Sequence, residues 1–117
     1  MGQVVNIHKY KGKGAIYIGR PRRGSKEDLY DMHYGNPFSH VKPTPSGCIA
    51  VDTREEAVEE FRWWLLELAN LDVEPQRRYW ILENLREWDG TETVACFCAP
   101  QSCHGEVLLE MAAKRRR

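Results

Sequence analysis

No apolar run in these 117 residues approaches the roughly 20 that a helix needs to cross a bilayer. The opening, Met1 to Tyr10, lacks the apolar core of a secretory signal. There is no internal repeat and no low-complexity segment. Net charge is also missing, with 17 Lys/Arg against 17 Asp/Glu. These absences argue against a membrane span, a solenoid and a disordered chain, and the expectation is an intracellular, cytoplasmic protein. Hydrophobic residues at 42% and charged residues at 29% are those of an ordinary globular chain. The length suits one domain with one core.

What is there is unevenly placed. Residues 1–47 carry 8 Lys/Arg against 3 Asp/Glu, residues 52–92 carry 5 against 12, and residues 93–117 carry 4 against 2. The basic first third is either a solvated loop surface or a surface that attracts phosphates. The closing Lys114-Arg115-Arg116-Arg117 complements a helix dipole, contacts nucleic acid or forms a basic tail.

Local patterns give an order of elements. Gln3 to His8 is β-branched and reads as a strand, as does Ala15 to Ile18. From 20 to 47 the chain is dense in Pro and Gly, so it reads as a long functional or partly mobile loop, with Glu27 to His33 as a short helix. Thr53-Arg54-Glu55-Glu56 fits a capping box. The helix after it puts Ala57, Phe61, Trp64, Leu65 and Leu68 on one face. Trp63 and Leu66 lie off that face, which suggests burial on two sides or, as the alternative, a dimer surface marked by Trp63. Pro75 suits the first turn of a second helix, with Tyr79, Leu82 and Leu85 as its apolar set, widened by Ile81 and Trp88, and Asp89-Gly90 as its end. Thr93 to Cys98 is a third strand, apolar on both faces. Glu106 to Lys114 is a last helix with Val107, Leu108 and Met111 inward. Mixed strands and helices, and a short last strand apolar on both faces, predict an α/β fold: a small single domain, Rossmann-like, with a short, mainly parallel sheet flanked by helices. Ligands in such sheets bind beyond the carboxyl ends of the strands.

The densest chemistry is the run from Cys96 to Gly105, with three of the four cysteines and one of the four histidines. Crowded this way, and without a secretion signal, the cysteines read as reduced thiols or metal ligands rather than a disulfide framework. Cys96, Cys98, Cys103 and His104 form a zinc-compatible set. The spacing is not that of Cys-x2-4-Cys knuckles, and adjacent Cys103 and His104 diverge by about 100° on a helix. Cys96 alone reads as a small buried strand residue. Cys98 and Cys103 flank a strand–helix junction, where a helix N-terminus favours a thiolate and an anion. They are candidate nucleophiles, with His104 as acid, base or anion donor. Ser102 is a candidate N-cap, and Gly105 allows close backbone approach.

Further candidates lie upstream. Gly19 frees the backbone, and Arg20 offers a planar fork to phosphate or carboxylate, or to a structural ion pair. Asn6 orients a base or ribose, or satisfies its own strand. Gly35-Asn36-Pro37-Phe38 is a tight turn with Phe38 on the core, or a lid in which Asn36 reads the ligand.

In this order, Val4-Val5-Asn6, Ile18-Gly19-Arg20-Pro21, Gly35-Asn36-Pro37-Phe38, Arg54 and Cys96 through Leu108 resemble the domain of unknown function 4326 family of phages and bacteria. The resemblance covers nearly the whole chain, and its specific part is the closing Cys-His motif. The family often has Trp where Phe97 stands. The closing turn is also similar to that of the domain of unknown function 488 family. The resemblance implies a small intracellular α/β protein of phage or bacterial origin, and it gathers Asn6, Arg20, Asn36, Cys98, Cys103 and His104 into one candidate site. The expected function is nucleotide or nucleoside binding, with transfer or hydrolysis on a nucleotide or modified base if the protein is an enzyme. The alternatives are a zinc-stabilised adaptor for nucleic acid or protein, and a phage interaction protein whose thiols are core.

Overall fold

The computed structural model describes residues 2–7, 9–12, 14–19, 33–44, 48–67, 69–96 and 103–115. Three parallel strands form the main sheet in the order β1 (Gln3–Asn6), β5 (Thr93–Cys96), β2 (Ile16–Tyr17). β5 is central, with Val4 opposite Val94, Asn6 opposite Cys96, and Ile16 opposite Val94. Both edge strands extend past their formal ends through Ile7 N–H to the Cys96 carbonyl at 2.9 Å and Ile18 N–H to the Ala95 carbonyl at 3.0 Å. Val94, Ala95 and Cys96 are all buried, so the last strand is covered on both faces as its composition predicts.

A second parallel pair, β3 (Phe38–Ser39) with β4 (Ile49–Ala50), lies partly within the segment expected to be loop. Two-residue strands are too short to show alternation, and Pro37 precedes the first of them. Phe38 is buried, as the turn reading requires.

Among the described residues three helices complete the fold; the short helix expected at Glu27 to His33 lies almost wholly outside them. Helix α1 (Arg54–Leu66) starts at Thr53, whose side-chain oxygen accepts the Glu56 N–H at 3.0 Å. Ala57, Phe61, Trp64 and Leu65 are buried on its predicted face, whereas Leu68 lies outside the described residues. Trp63 is 43% exposed, so the expectation of two-sided burial is corrected: α1 has one buried face. Helix α2 (Pro75–Asn84) begins with Pro75 in its first turn and passes into a 3₁₀ turn at Leu85–Glu87, so Asp89-Gly90 falls in the turn before β5 rather than at the helix end. Its inward residues are Arg77, Ile81 and Leu85, with Trp88 following. Tyr79, expected inside, is 65% exposed: the inward stripe runs through Arg77, Ile81 and Leu85, and Tyr79, two residues after Arg77, falls on the opposite side of the helix. Helix α3 (Gly105–Arg115) buries Val107, Leu108 and Ala112, with Met111 packed at the edge.

Two contacts set the place of α3. The absent side chain of Gly105 is occupied by the sheet: a Cβ there would lie 2.6 Å from Ile18 Cδ1, 3.1 Å from Val4 Cγ2 and 3.2 Å from Val94 Cγ2. The close approach served by this glycine is therefore helix to sheet. Farther along, Glu110 takes an ion pair from Arg62 of α1 and lies 3.5 Å from Lys114. The Arg62 hydrogen bond holds the Glu110 carboxyl below its ordinary range, against a smaller opposing effect of burial.

Adding a methyl group at Gly105 forces this seat apart. Gly105→Ala is expected to lower unfolding free energy by about 1–3 kcal/mol in urea titrations, and Ile18→Val in the same chain recovers part of the loss. For Glu110 the folded carboxyl is the stronger acid, so its contribution is present at neutral pH and is lost as pH falls through its lowered value. The stability difference between the parent and Glu110→Gln is expected to vanish on acidification below that point and to shrink in high salt.

Candidate functional site

The carboxyl ends of β1, β5 and β2 lie on one rim because the strands are parallel. The register puts Asn6 beside Cys96 there, and β-strand alternation places both on the face that carries Val4 and Val94, the face α3 covers. Cys103 and His104 come to the same rim as the residues immediately before α3. Their carbonyls accept the first N–H groups of the helix, Cys103 from Glu106 at 3.2 Å, and His104 from Val107 at 3.0 Å and Leu108 at 3.2 Å.

His104 is 7% exposed and joins four parts of the chain. Its Nε2 is 2.9 Å from the Ile18 carbonyl at the end of β2 and 2.9 Å from the Tyr34 carbonyl. Carbonyls only accept, so Nε2 carries the hydrogen and shares it between them. The ring stands edge-on to Phe61 of α1, with centroids 4.9 Å apart. Nδ1 is 3.6 Å from Cys103 Sγ. Cys103 Sγ is in turn 3.0 Å from Cys96 Sγ and accepts the Gly105 N–H at 3.4 Å. Cys96 and Cys103 are both buried.

The segment 33–36 closes over this rim and is held by a residue that sequence patterns miss. Arg77 is 3% exposed; its guanidinium donates to the His33 carbonyl at 3.0 Å and the Gly35 carbonyl at 2.5 Å, and makes a two-pronged pair with Glu74 at 2.9 Å. Trp64 lies 5.6 Å beneath the charge. Tyr34 packs between Trp80 and Trp88 at 4.9 and 5.1 Å. Burial pushes its hydroxyl above the ordinary value, opposed by a hydrogen bond from Trp88. The one signal for Arg77 in the sequence is a basic pair, Arg77-Arg78, inside the acidic middle third. Arg78 has the complementary task, donating to the Trp64 carbonyl at 2.8 Å and the Leu65 carbonyl at 3.2 Å in the last turn of α1.

The structure thus brings Asn6, Cys96, Cys103, His104 and Gly105 together, with Gly19 one residue beyond the Ile18 carbonyl. Arg20, Cys98 and Ser102 lie outside the described residues. Asn36 forms the predicted turn: its Oδ1 accepts the Phe38 N–H and its Nδ2 donates to the Ala57 carbonyl, both at 2.9 Å. These bonds give it a clear role in fastening the turn to α1. Among the described residues, no group of three or more His, Cys, Asp or Glu side chains could hold a metal ion. The imidazole explains part of this, since its Nε2 is committed to two carbonyls.

The chain belongs to the family described as domain of unknown function DUF4326, whose model matches residues 5–114, nearly the whole chain. Neither the curated proteins nor the solved structures offer a match to it.

Arg77 fixes the roof of this rim. Arg77→Ala leaves the buried Gly35 carbonyl without its donor, at about 1–3 kcal/mol per unsatisfied group. The expected result is a loss of at least about 2 kcal/mol in chemical denaturation, with a red-shifted tryptophan emission as Tyr34 leaves Trp80 and Trp88.

Proposed function

We propose that this chain is a small nucleotide- or nucleoside-binding α/β domain, with its ligand at the carboxyl rim of the three-stranded sheet. The observation that carries the reading is the convergence of three parallel carboxyl ends with the N-terminal end of α3. Oriented N–H groups and an aligned helix dipole favour an anionic group there. Arg20, directly after Gly19, is the residue assigned to the phosphate, and Asn6 and Gly19 border the same rim. His104 then serves chiefly as the fastener that holds β2, α3 and the Tyr34 segment in position. If the bound molecule is transformed, the reaction class is transfer or hydrolysis on a nucleotide or modified base, with Cys98 as the candidate participant. The setting proposed is the cytoplasm of a bacterium or of a phage-infected cell.

The adaptor reading, with zinc on Cys96, Cys98, Cys103 and His104, has less behind it. Three of these four residues do meet, but the His104 ring is already engaged with backbone carbonyls.

Calorimetric titration of the full chain with a panel of nucleoside mono-, di- and triphosphates tests the proposal. The expected result is saturable binding of at least one of them, weakened at least tenfold (about 1.4 kcal/mol) by Arg20→Ala. Absence of binding across the panel overturns it.

A further inference from the structure

The two buried sulfurs at the foot of α3 carry a chemistry that ligand binding does not use. Cys96 and Cys103 are 2% and 1% exposed, and their Sγ atoms are 3.0 Å apart. They differ in surroundings. Cys103 lies just before an 11-residue helix and accepts the Gly105 N–H at 3.4 Å, contacts that favour negative charge on its sulfur against the opposing effect of burial. His104 Nδ1 lies 3.6 Å from the same sulfur. Because Nε2 is the atom donating to the Ile18 and Tyr34 carbonyls, the neutral ring has its lone pair on Nδ1, turned to Cys103. Cys96 sits at the end of the central strand, in position to receive the bond.

We propose that Cys96 and Cys103 are a modification site: a dithiol that closes reversibly to an internal disulfide under a peroxide oxidant, with Cys103 reacting first. His104 Nδ1 takes the Cys103 thiol proton. The thiolate attacks one peroxide oxygen; an S–O bond forms, the O–O bond breaks, and the departing hydroxide takes the proton back from His104 and leaves as water. The Cys103 sulfenic acid so formed is attacked by the Cys96 sulfur. An S–S bond forms, the S–O bond breaks, and the hydroxyl leaves with the Cys96 proton as a second water. Two thiols have lost two electrons and two protons, and one hydrogen peroxide has become two waters. A dithiol reductant reverses the change. Burial selects a small oxidant, since a bulky disulfide cannot reach either sulfur. The bond ties the end of β5 to the start of α3, and so locks the rim at which the ligand is proposed to sit, although the chemistry does not depend on that ligand.

Peptide mapping of the full chain tests this. Reduced, desalted protein is exposed to a small excess of hydrogen peroxide, alkylated in denaturant and digested. The expected product is a linked peptide joining Cys96 to Cys103, two hydrogens lighter than the separate peptides and abolished by dithiothreitol. Cys96→Ala is expected to stop at the sulfenic acid, trapped on Cys103 by dimedone added together with the denaturant. Mapping of the parent chain decides the question if that variant fails to fold. Recovery of both cysteines as alkylated thiols overturns the proposal. So does a link from Cys103 to Cys98 or Cys48, or equally fast formation of the same link in urea.

Discussion

The domain depends on how closely the first turn of α3 sits on the carboxyl ends of the sheet. At Gly105 there is no room for a side chain between helix and strands, with Ile18, Val4 and Val94 all at contact distance from where one would begin. That closeness places the residue before it, His104, within reach of the Ile18 and Tyr34 carbonyls. It also brings Cys103 against Cys96. Both carbonyls need a donor because burial makes an unpaired polar group costly. One N–H serving both is a compact solution, and it makes the imidazole part of the framework.

A second constraint acts from the other side. Arg77 carries a charge that is almost wholly buried, which is tolerable only because carboxylate, carbonyls and an indole face surround it. The same guanidinium reaches His33 and Gly35, so the 33–36 segment, inside the basic first third, is anchored to α2. Glu74 sits with a positive φ of 39° as the residue before α2, a conformation unusual for a side chain of its kind, and both its oxygens are taken by Arg77. The α1–α2 connection, the 33–36 segment and the rim are therefore one mechanical unit. Hydrophobic burial of Phe61, Trp64 and Ile81, at roughly 1.5–3 kcal/mol per large apolar side chain, holds the unit together. The polar contacts decide its shape.

Much of the architecture was legible in the residues. The capping threonine, the main apolar face of α1, Pro75 at the head of α2 and the doubly buried last strand each follow from a local rule. The miss at Tyr79 has a definite cause. Periodicity treats every arginine as outward, so a helix whose inward stripe includes Arg77 is assigned a rotated face. Trp63 lies off the main stripe of α1, where periodicity alone does not decide between burial and exposure, and it is exposed. The β3–β4 pair was invisible because two residues make no pattern. At the rim, the Cys96–Gly105 run marks a strand–helix junction, yet its pattern suggests functions for His104 and Gly105 without showing the backbone carbonyls and sheet side chains that engage them.

By itself the sequence determined most of the apolar core, the order and type of most elements, the turn at Asn36, and the crowding of cysteines and a histidine near the start of α3. These are matters of local propensity and periodicity, which are written in neighbouring residues. Only the tertiary structure decided that β5 lies between β1 and β2, that Asn6 stands beside Cys96, that Arg77 is a buried anchor, and that two thiols seven positions apart are in contact. These depend on pairings across long stretches of chain. Such pairings are chosen by packing and by the need to satisfy buried polar groups, and no local pattern records them.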